Sequence, residues 1–264
     1  MTLALGGRRT VMEALRAARA ERVLCVHGAR STEGLRQVLL EAERARVPVE
    51  WVDRERVESL EVRDAQGVVA IVRAPRELDE GGLARVSADQ AALLVILDGI
   101  TDPQNLGACA RCAEAAGAIA IVARRRRAAP VSAAAIRASA GALLHLPLAR
   151  VPNLSRTIHA LKERGFSVVG LDHRASVDVH AAVATRPLAL VVGSEDSGIS
   201  RLVRESCDEL VSIPMPGRTA SLNASAALAV GLFAYALRPN GRVEAAATMP
   251  EEAGVAQPGS ASDL

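Results

Sequence analysis

Aromatic residues and lysine are scarce in this sequence of 264 residues. Two phenylalanines, one tyrosine and one tryptophan are too few for a module that stacks several RNA bases on an aromatic sheet surface, so that class of protein is disfavoured. Lys162 is the only lysine, and arginine supplies the rest of the positive charge. Arginine suits bidentate contacts with phosphate, although a genome rich in G and C favours the same codons. A net charge of only +2 does not by itself indicate a nucleic-acid-binding protein.

Cysteine is also sparse, and no disulfide framework is implied. Four cysteines are present, and Cys109 and Cys112 form a C-x-x-C pair. No second pair or histidine cluster completes a zinc site, so we predict no bound metal. Both residues lie in an alanine-rich helical pattern and are interpreted as small buried side chains. Free thiols fit the reducing cytosol, and we expect a cytoplasmic protein.

Targeting and membrane-spanning segments are not predicted. The sequence reaches Gly6, Gly7, Arg8 and Arg9 within its first ten residues, which is not typical of a signal peptide. The longest apolar run, Ala226 to Leu237, is shorter than the roughly 20 residues that a bilayer requires. We therefore expect no membrane partner and interpret this run as a buried helix.

Periodicity divides the chain into two α/β domains joined by a linker. In the first domain, residues 1–73, the pattern predicts helices and strands in alternation. A segment rich in charge, glycine and proline at 74–90 predicts a linker, and the second domain covers 91–238. Residues 239–264 are rich in Ala, Glu, Gly, Pro and Ser, and we predict a disordered tail. For the first domain the predicted helices are 9–19 and 33–44, and the predicted strands are 23–27, 49–52 and 68–72.

Continuous apolar runs in the second domain predict strands that are buried on both faces, as in a parallel sheet. A helix over 222–237 is predicted to close this domain. Ligands bind at the carboxyl ends of strands in such open sheets, so polar residues just after these runs are the candidate site. The predicted strands are 93–97, 119–122, 167–170, 188–192 and 210–213.

The first polar stretch follows the strand that ends near Asp98. Gly99 and the Asp102-Pro103 pair predict a turn, and Asn105 is a candidate N-cap for a helix from Leu106. Arg111 lies early in that helix among small residues. An arginine in this setting is usually a solvated surface residue, but its position past a strand end favours a functional role.

Two further stretches follow later strands. Gly193 permits close backbone approach and precedes Glu195, which is either functional or a helix cap. The run Ile-Pro-Met-Pro-Gly then leads to Ser221, a candidate N-cap, and to Asn223. None of these stretches has the G-x-G-x-x-G or Walker A pattern, so neither a nicotinamide cofactor nor ATP is indicated.

In this order and spacing, the three stretches resemble the signature motifs of the SpoU/TrmH family of the SPOUT superfamily. Motif 1 is Asn105 to Arg111, motif 2 is Gly193 to Ile199, and motif 3 is Ile213 to Asn223. The likeness covers about residues 91–237, and Gly6 to Val72 resembles the small substrate-binding domain of the family, of ribosomal-protein L30e type. Leu97 to Pro103 is most similar to the branch that methylates guanosine in 23S ribosomal RNA.

The resemblance implies an S-adenosylmethionine-dependent RNA 2′-O-ribose methyltransferase. It implies an α/β fold with a C-terminal trefoil-knotted parallel-sheet domain, and a homodimer whose active site lies beside the interface. Implied catalytic residues are Asn105, Arg111, Glu195, Ser221 and Asn223. Implied cofactor contacts are Gly193, Ile213, Met215, Leu222 and Gly170. Candidate RNA contacts are Arg124, Arg125, Arg126 and Arg127, a basic run that follows a strand end, together with Arg8 and Arg9 of the segment that resembles the substrate-binding domain.

For Arg111 the resemblance leaves two roles, general base or electrostatic stabiliser. Arginine stays protonated in proteins, so we favour binding of a substrate phosphate and stabilisation of the developing alkoxide. The alternative to RNA contact for the basic run at 124–127 is an ordinary solvated loop. Gln104 and Ala65 stand where histidine is common in the 23S branch, which leaves the RNA substrate open. Alternatives are a transfer-RNA or resistance-type methylase of the same fold, and a non-catalytic RNA-binding relative.

Overall fold

The N-terminal domain is a small mixed sheet with helices. The structure is a computed structural model that describes residues 2–30, 32–75, 77–89, 91–182, 185–219 and 221–236. Four strands lie in the order β1-β4-β2-β3, in which β4 is antiparallel to β1 and β2, whereas β2 and β3 are parallel. The elements are β1 (Thr2–Gly6), α1 (Arg8–Arg16), β2 (Ala20–Val26), α2 (Glu33–Arg44), β3 (Val49–Val52), α3 (Arg54–Glu58) and β4 (Val68–Arg73).

Helix boundaries in this domain follow local capping chemistry. The α2 helix has the predicted bounds because Thr32 accepts a hydrogen bond from the backbone N–H of Leu35 at its start. Its apolar side, which includes Val38 and Ala42, is buried against the sheet. The α1 helix ends at Arg16 rather than at Arg19, because Ala18 adopts a positive φ of 51° that ends the helical turn.

The C-terminal domain is a seven-stranded, entirely parallel sheet in the order β7-β6-β5-β10-β8-β11-β9. The predicted α/β class and parallel sheet are confirmed. The elements are α4 (Glu80–Ala84), β5 (Leu93–Asp98), α5 (Pro103–Ala115), β6 (Ala120–Arg124), α6 (Ala133–Ala138), α7 (Ala142–His145), β7 (Leu148–Val151), α8 (Leu154–Glu163), β8 (Ser167–Leu171), β9 (Val177–Asp178), β10 (Leu188–Gly193), α9 (Arg201–Ser206), β11 (Glu209–Ser212) and α10 (Ala224–Ala236).

The two most apolar strands occupy the middle of this sheet. Every residue of β5 and β10 is buried, as their continuous apolar runs predict. The two strands are in register, with Gly193 beside Asp98 at their carboxyl ends. This pairing brings the loops that carry motif 1 and motif 2 to the same place.

Helices cover the two faces of the sheet separately. The α5, α6, α7 and α10 helices pack on one face, where Leu106, Ile136 and Leu228 are buried. That core is continuous with the apolar interior of the N-terminal domain. The α4, α8 and α9 helices pack on the opposite face around Ile158 and Val203. No helix in the described ranges is both long enough and apolar enough to cross a membrane.

Several local features differ from the sequence-based expectations. Part of the segment predicted as a linker forms α4, and Leu78 just before it pairs with Ala149 of β7. Strands β1, β7 and β9 were not predicted. The expected tail, 239–264, lies outside the described residues, as does Leu237 at the predicted end of the last helix.

Two predicted helix caps are wrong. The side chain of Asp102 caps α5 by accepting from the N–H of Gln104, and α5 begins at Pro103, so Asn105 lies inside the helix. Asn223 caps α10 by accepting from the N–H of Ala226 at 2.7 Å, so Ser221 lies before the helix. In both cases the residue nearest the first helical N–H groups takes the role.

Candidate active site

The carboxyl ends of β8, β10 and β11 surround a cavity of about 470 Å³. Motif 2 forms one wall through Gly193 and Glu195, and motif 3 forms another through Ile213 and Met215. Ser221 and Leu222 close the cavity near the start of α10. Six of the residues that the family resemblance implies are therefore brought together.

Gly193 is required by the path of the motif 2 loop. The loop folds back after β10, and the N–H of Gly198 donates to the carbonyl of Ser194 at 2.9 Å. A Cβ atom on Gly193 would lie 2.0 Å from the carbonyl carbon of Gly198 and 2.2 Å from its oxygen. No larger residue fits unless the backbone of this loop moves.

A side-chain hydrogen bond connects motif 1 to this cavity. The amide nitrogen of Asn105 donates to a carboxylate oxygen of Glu195 at 3.1 Å, across 90 positions of sequence. Asn105 is held by α5 and Glu195 by the loop after β10. The predicted alternative of Glu195 as a cap for the next helix is not seen, because Ser200 holds the N-cap position of α9.

Asp98 joins three elements beneath the site, and the sequence analysis gave it no role. Its side chain is only 3% exposed. One carboxylate oxygen accepts from the N–H of Ser200 at 2.7 Å, and the other lies 3.0 Å from Nη2 of Arg124. Arg124 also donates to the hydroxyl of Ser200 at 3.1 Å. These bonds fix the ends of β5 and β6 against the start of α9.

Asp172 is a second buried carboxylate that the sequence analysis missed. It lines the cavity directly after β8 and accepts from the N–H of Arg174 at 3.0 Å. Nε of Arg204 lies 3.2 Å from its other oxygen. Burial alone would raise the pKa of this carboxyl group, but the backbone N–H of Arg174 and the guanidinium groups of Arg174 and Arg204 outweigh that effect and hold the pKa below its usual value.

Four of the implied catalytic and cofactor residues do not line the cavity, and of these Asn105 is connected to it through Glu195. Gly170 packs inside the sheet, where a Cβ atom would lie 2.8 Å from Leu210, so close packing explains this glycine. Asn223 is used as the cap of α10. Arg111 is exposed on α5 and forms no hydrogen bond or ion pair with any described residue.

The C-x-x-C pair has the surroundings of inert, packed thiols. Cys109 is fully buried, and burial, followed by the nearby Cys112 and Glu195, raises the pKa of its thiol to about 12. Burial also raises the pKa of Cys112, against the lowering effect of Arg111. Thiols of this kind are poor nucleophiles. Within the described ranges no group of three or more potential ligands is placed to hold a metal ion.

The arginines implied to contact RNA differ in their surroundings. Arg124 is held by Asp98, whereas Arg125, Arg126 and Arg127 are exposed on the loop after β6. Arg9 is exposed at the start of α1. Arg8 lines a separate cavity in the N-terminal domain.

Comparison with known proteins identifies the family. Residues 92–233 match the model of the SpoU rRNA Methylase family, and residues 5–78 match the model for RNA 2′-O ribose methyltransferase substrate binding. The site and fold are those of an RNA methyltransferase with a separate substrate-binding domain. The chain belongs to the SpoU rRNA methylase family, which confirms the resemblance inferred from the three motifs.

Individual relatives agree with this assignment. The chain is 45% identical to the 23S rRNA (guanosine-2′-O-)-methyltransferase RlmB of Photobacterium profundum, over 64% of this chain and 69% of that protein. It is 41% identical to the protein of the same name from Vibrio cholerae, over 77% and 83%. The structure of the SpoU methyltransferase AviRb from Streptomyces viridochromogenes in complex with the cofactor AdoMet is 28% identical, with a TM-score of 0.73 and coverage of 88% of each chain.

Proposed function

We propose that this protein transfers a methyl group from S-adenosylmethionine to a ribose 2′-hydroxyl of RNA, and that the target is a guanosine of 23S ribosomal RNA. The observation that carries the proposal is the meeting of all three motifs: motifs 2 and 3 line one cavity, and the Asn105–Glu195 hydrogen bond connects motif 1 to it. Two relatives at 41–45% identity bear the name of a 23S guanosine enzyme, which favours that substrate.

The cavity fits S-adenosylmethionine in size and chemistry. Its volume of about 470 Å³ lies within the range of pockets for small ligands. Apolar side chains of Ile213, Met215 and Leu222 suit the flat adenine ring, whereas Ser194 and Ser221 offer hydrogen bonds. When bound, the cofactor supplies a methyl group activated by its positively charged sulfur.

The residues of motif 1 act on the RNA side of the reaction. Arg111 has no partner among the described residues, so its guanidinium group is available to bind a phosphate next to the target ribose. Its charge also stabilises the ribose oxygen while the hydroxyl proton passes to water. Asn105, with its orientation fixed by Glu195, and Ser221 orient the ribose by hydrogen bonds, and Asn223 supports them by holding the start of α10.

Exposed arginines bind the RNA chain outside the cavity. Arg125, Arg126 and Arg127 follow the carboxyl end of β6, at the same edge of the sheet as the cavity. Arg8 and Arg9 extend the contact to the N-terminal domain. Contacts of this type release counterions, so neutralising the run at 125–127 flattens the salt dependence of RNA binding.

The proposal includes a homodimer, a knotted chain path and a cytoplasmic location. The α10 helix is apolar on all sides, and Phe233 on it is 41% exposed. A helix of this composition is normally buried, and we propose that its exposed side packs against a second copy of the chain. The knot rests on the family resemblance, and β10 lies in the sheet between β5 and β8, which both precede it in sequence.

The test is transfer of labelled methyl groups from S-adenosylmethionine to unmodified 23S ribosomal RNA and, in parallel, to unmodified transfer RNA. We expect label on ribosomal RNA alone. Arg111→Ala should abolish transfer while cofactor affinity, measured by calorimetry, stays unchanged. Arg111→Lys should also lose most turnover, since an ammonium group cannot make the bidentate contact.

The alternative outcomes change different parts of the proposal. Label on transfer RNA keeps the chemistry and overturns the substrate. Near-full turnover by Arg111→Lys overturns the bidentate phosphate contact. No cofactor binding by the wild-type protein overturns the enzymatic function in favour of a non-catalytic RNA-binding role.

A further inference from the structure

The only tryptophan of the chain lies on the surface of the N-terminal domain. Trp51 belongs to the edge strand β3 and is 49% exposed. Its ring stacks on His27, with 6.3 Å between the ring centroids and 27° between the planes. His27 is exposed too, so this pair presents aromatic surface to solvent rather than to the core. Tryptophan is enriched at binding interfaces, so an exposed pair of stacked rings is a candidate binding surface.

A cavity of about 880 Å³ adjoins this aromatic pair. His27 lines it, together with three arginines, Arg8, Arg30 and Arg54. None of these arginines forms an ion pair within the part of the chain that the structure describes, unlike many arginines elsewhere on the surface. Their guanidinium groups are therefore available to an anionic ligand. Two carboxylates, Asp53 and Glu58, also line the cavity and provide hydrogen-bond acceptors.

This combination fits one nucleotide of single-stranded RNA. An aromatic pair offers a flat surface on which a base stacks, and arginines bind the adjoining phosphates. Carboxylates accept hydrogen bonds from the N–H groups on a base edge. A base inside a duplex is already stacked on its neighbours and cannot reach such a surface. The arrangement thus selects RNA with an unpaired base.

We propose that the N-terminal domain binds an unpaired RNA base on the Trp51–His27 pair, with Arg8, Arg30 and Arg54 holding the adjoining phosphates. This inference rests on the proposed RNA substrate and adds the structural feature by which that substrate is chosen. It also assigns a role to a surface on the N-terminal domain, apart from the cavity where the methyl group is transferred.

The fluorescence of Trp51 reports on RNA binding at this surface, because Trp51 is the sole tryptophan of the sequence. Its fluorescence is recorded while the full-length protein is titrated with an unstructured RNA oligonucleotide of mixed sequence, and then with a blunt RNA duplex of equal length. Stacking of a base should quench the fluorescence with the single strand and leave it nearly unchanged with the duplex. Equal quenching by both RNAs, or quenching by neither, would overturn the inference.

Substitutions test whether the stack contributes affinity. Trp51→Ala should weaken binding of transcribed 23S ribosomal RNA by between about 5-fold and about 150-fold, the range measured for single base–aromatic contacts. Trp51→Phe should retain most of the affinity because a ring remains. Leu40→Ala is the matched control, since Leu40 is similarly exposed on α2 of the same domain and lines none of these surfaces.

Kinetics separate this inference from the proposed function. In methyl transfer, Trp51→Ala should raise KM for the RNA and leave kcat and cofactor affinity unchanged, because Trp51 does not line the proposed cofactor cavity. If Trp51→Ala binds RNA as tightly as the wild type and has the same KM, the inference is overturned. Methyl transfer by the wild-type protein would still uphold the proposed function. A wild-type protein that transfers no methyl group, yet shows the fluorescence change and the weakened mutant, would overturn the function alone.

Discussion

Gly193 lines the proposed cofactor cavity and leaves no room for an added methyl group. A Cβ atom there would overlap backbone atoms of Gly198 and Ile199 at 2.0–2.2 Å, and backbone cannot rotate away as a side chain does. We expect Gly193→Ala to displace the motif 2 loop and to weaken S-adenosylmethionine binding by about tenfold or more, as calorimetry would measure. Gly81→Ala, on α4, is the control, because the nearest atom to its added Cβ lies 3.6 Å away and the residue does not line the cavity. Equal cofactor affinity in both variants would contradict this role.

Asp172 should make the stability of the fold sensitive to acid. Its pKa is lowered in the folded protein, so its carboxylate contributes stability that is complete above its ordinary pKa of 3.8 and is lost as pH falls through the folded value. Asp172→Asn should therefore be less stable than the wild type near neutral pH, and the difference should shrink below that pKa. Urea unfolding of both proteins from about pH 6 to about pH 3 measures it. A difference that stays constant with pH would contradict the shifted pKa.

At the scale of helices and strands, continuous apolar runs were the reliable signal. The runs that became β5 and β10 predicted central strands, because burial on both faces leaves no polar position in the sequence. Strand β7 was missed because Arg150 interrupts its apolar run. In the fold that guanidinium is buried and bonded to Glu77 and to backbone carbonyls of Arg124 and Ala129. The partners that allow this charge to be buried come from distant parts of the sequence and cannot be predicted from a local pattern.

Substitution of Asp98 tests how much its side chain stabilises the contact of β5 and β6 with α9. Asp98→Asn removes the charge that pairs with Arg124 and weakens the hydrogen bond from Ser200, so we expect a loss of about 1–3 kcal/mol in the free energy of unfolding. Asp102→Asn, on the loop that follows β5, should change it by no more than about 0.5 kcal/mol, because asparagine caps a helix as well as aspartate does. Urea denaturation gives both values. Losses of the same size would mean that Asp98 does not connect the elements.

For the whole molecule, three separated motifs were enough to predict the family, the enzyme class and the cofactor. The sequence also placed each of the three motifs just after a predicted strand, at the edge of an open sheet where ligands bind. It did not reveal Asp172 or the exposed Trp51–His27 pair. Asp172 acquires its partners from separate segments, and Trp51 on a strand resembles any half-buried aromatic until its neighbours are known.

At the scale of the whole molecule, the exposed apolar side of α10 predicts a dimer. If a second copy covers that side, replacing Phe233 with a charged residue places an unpaired charge in an apolar interface. We expect Phe233→Glu to weaken the dimer by about 2 kcal/mol or more, about 30-fold, and to shift sedimentation toward a single chain. Methyl transfer should fall with it, since the family resemblance implies an active site beside the interface.

Leu202→Glu is the matched control for this substitution. Leu202 is also exposed, but it lies on α9, and α9 packs on the opposite face of the sheet from α10. The control should therefore sediment and methylate RNA as the wild type does. A wild-type protein that sediments as a single chain at all concentrations, with full activity, would contradict the dimer. Loss of association in Leu202→Glu but not in Phe233→Glu would instead move the interface to the face covered by α9, which lies away from the helix carrying Arg111.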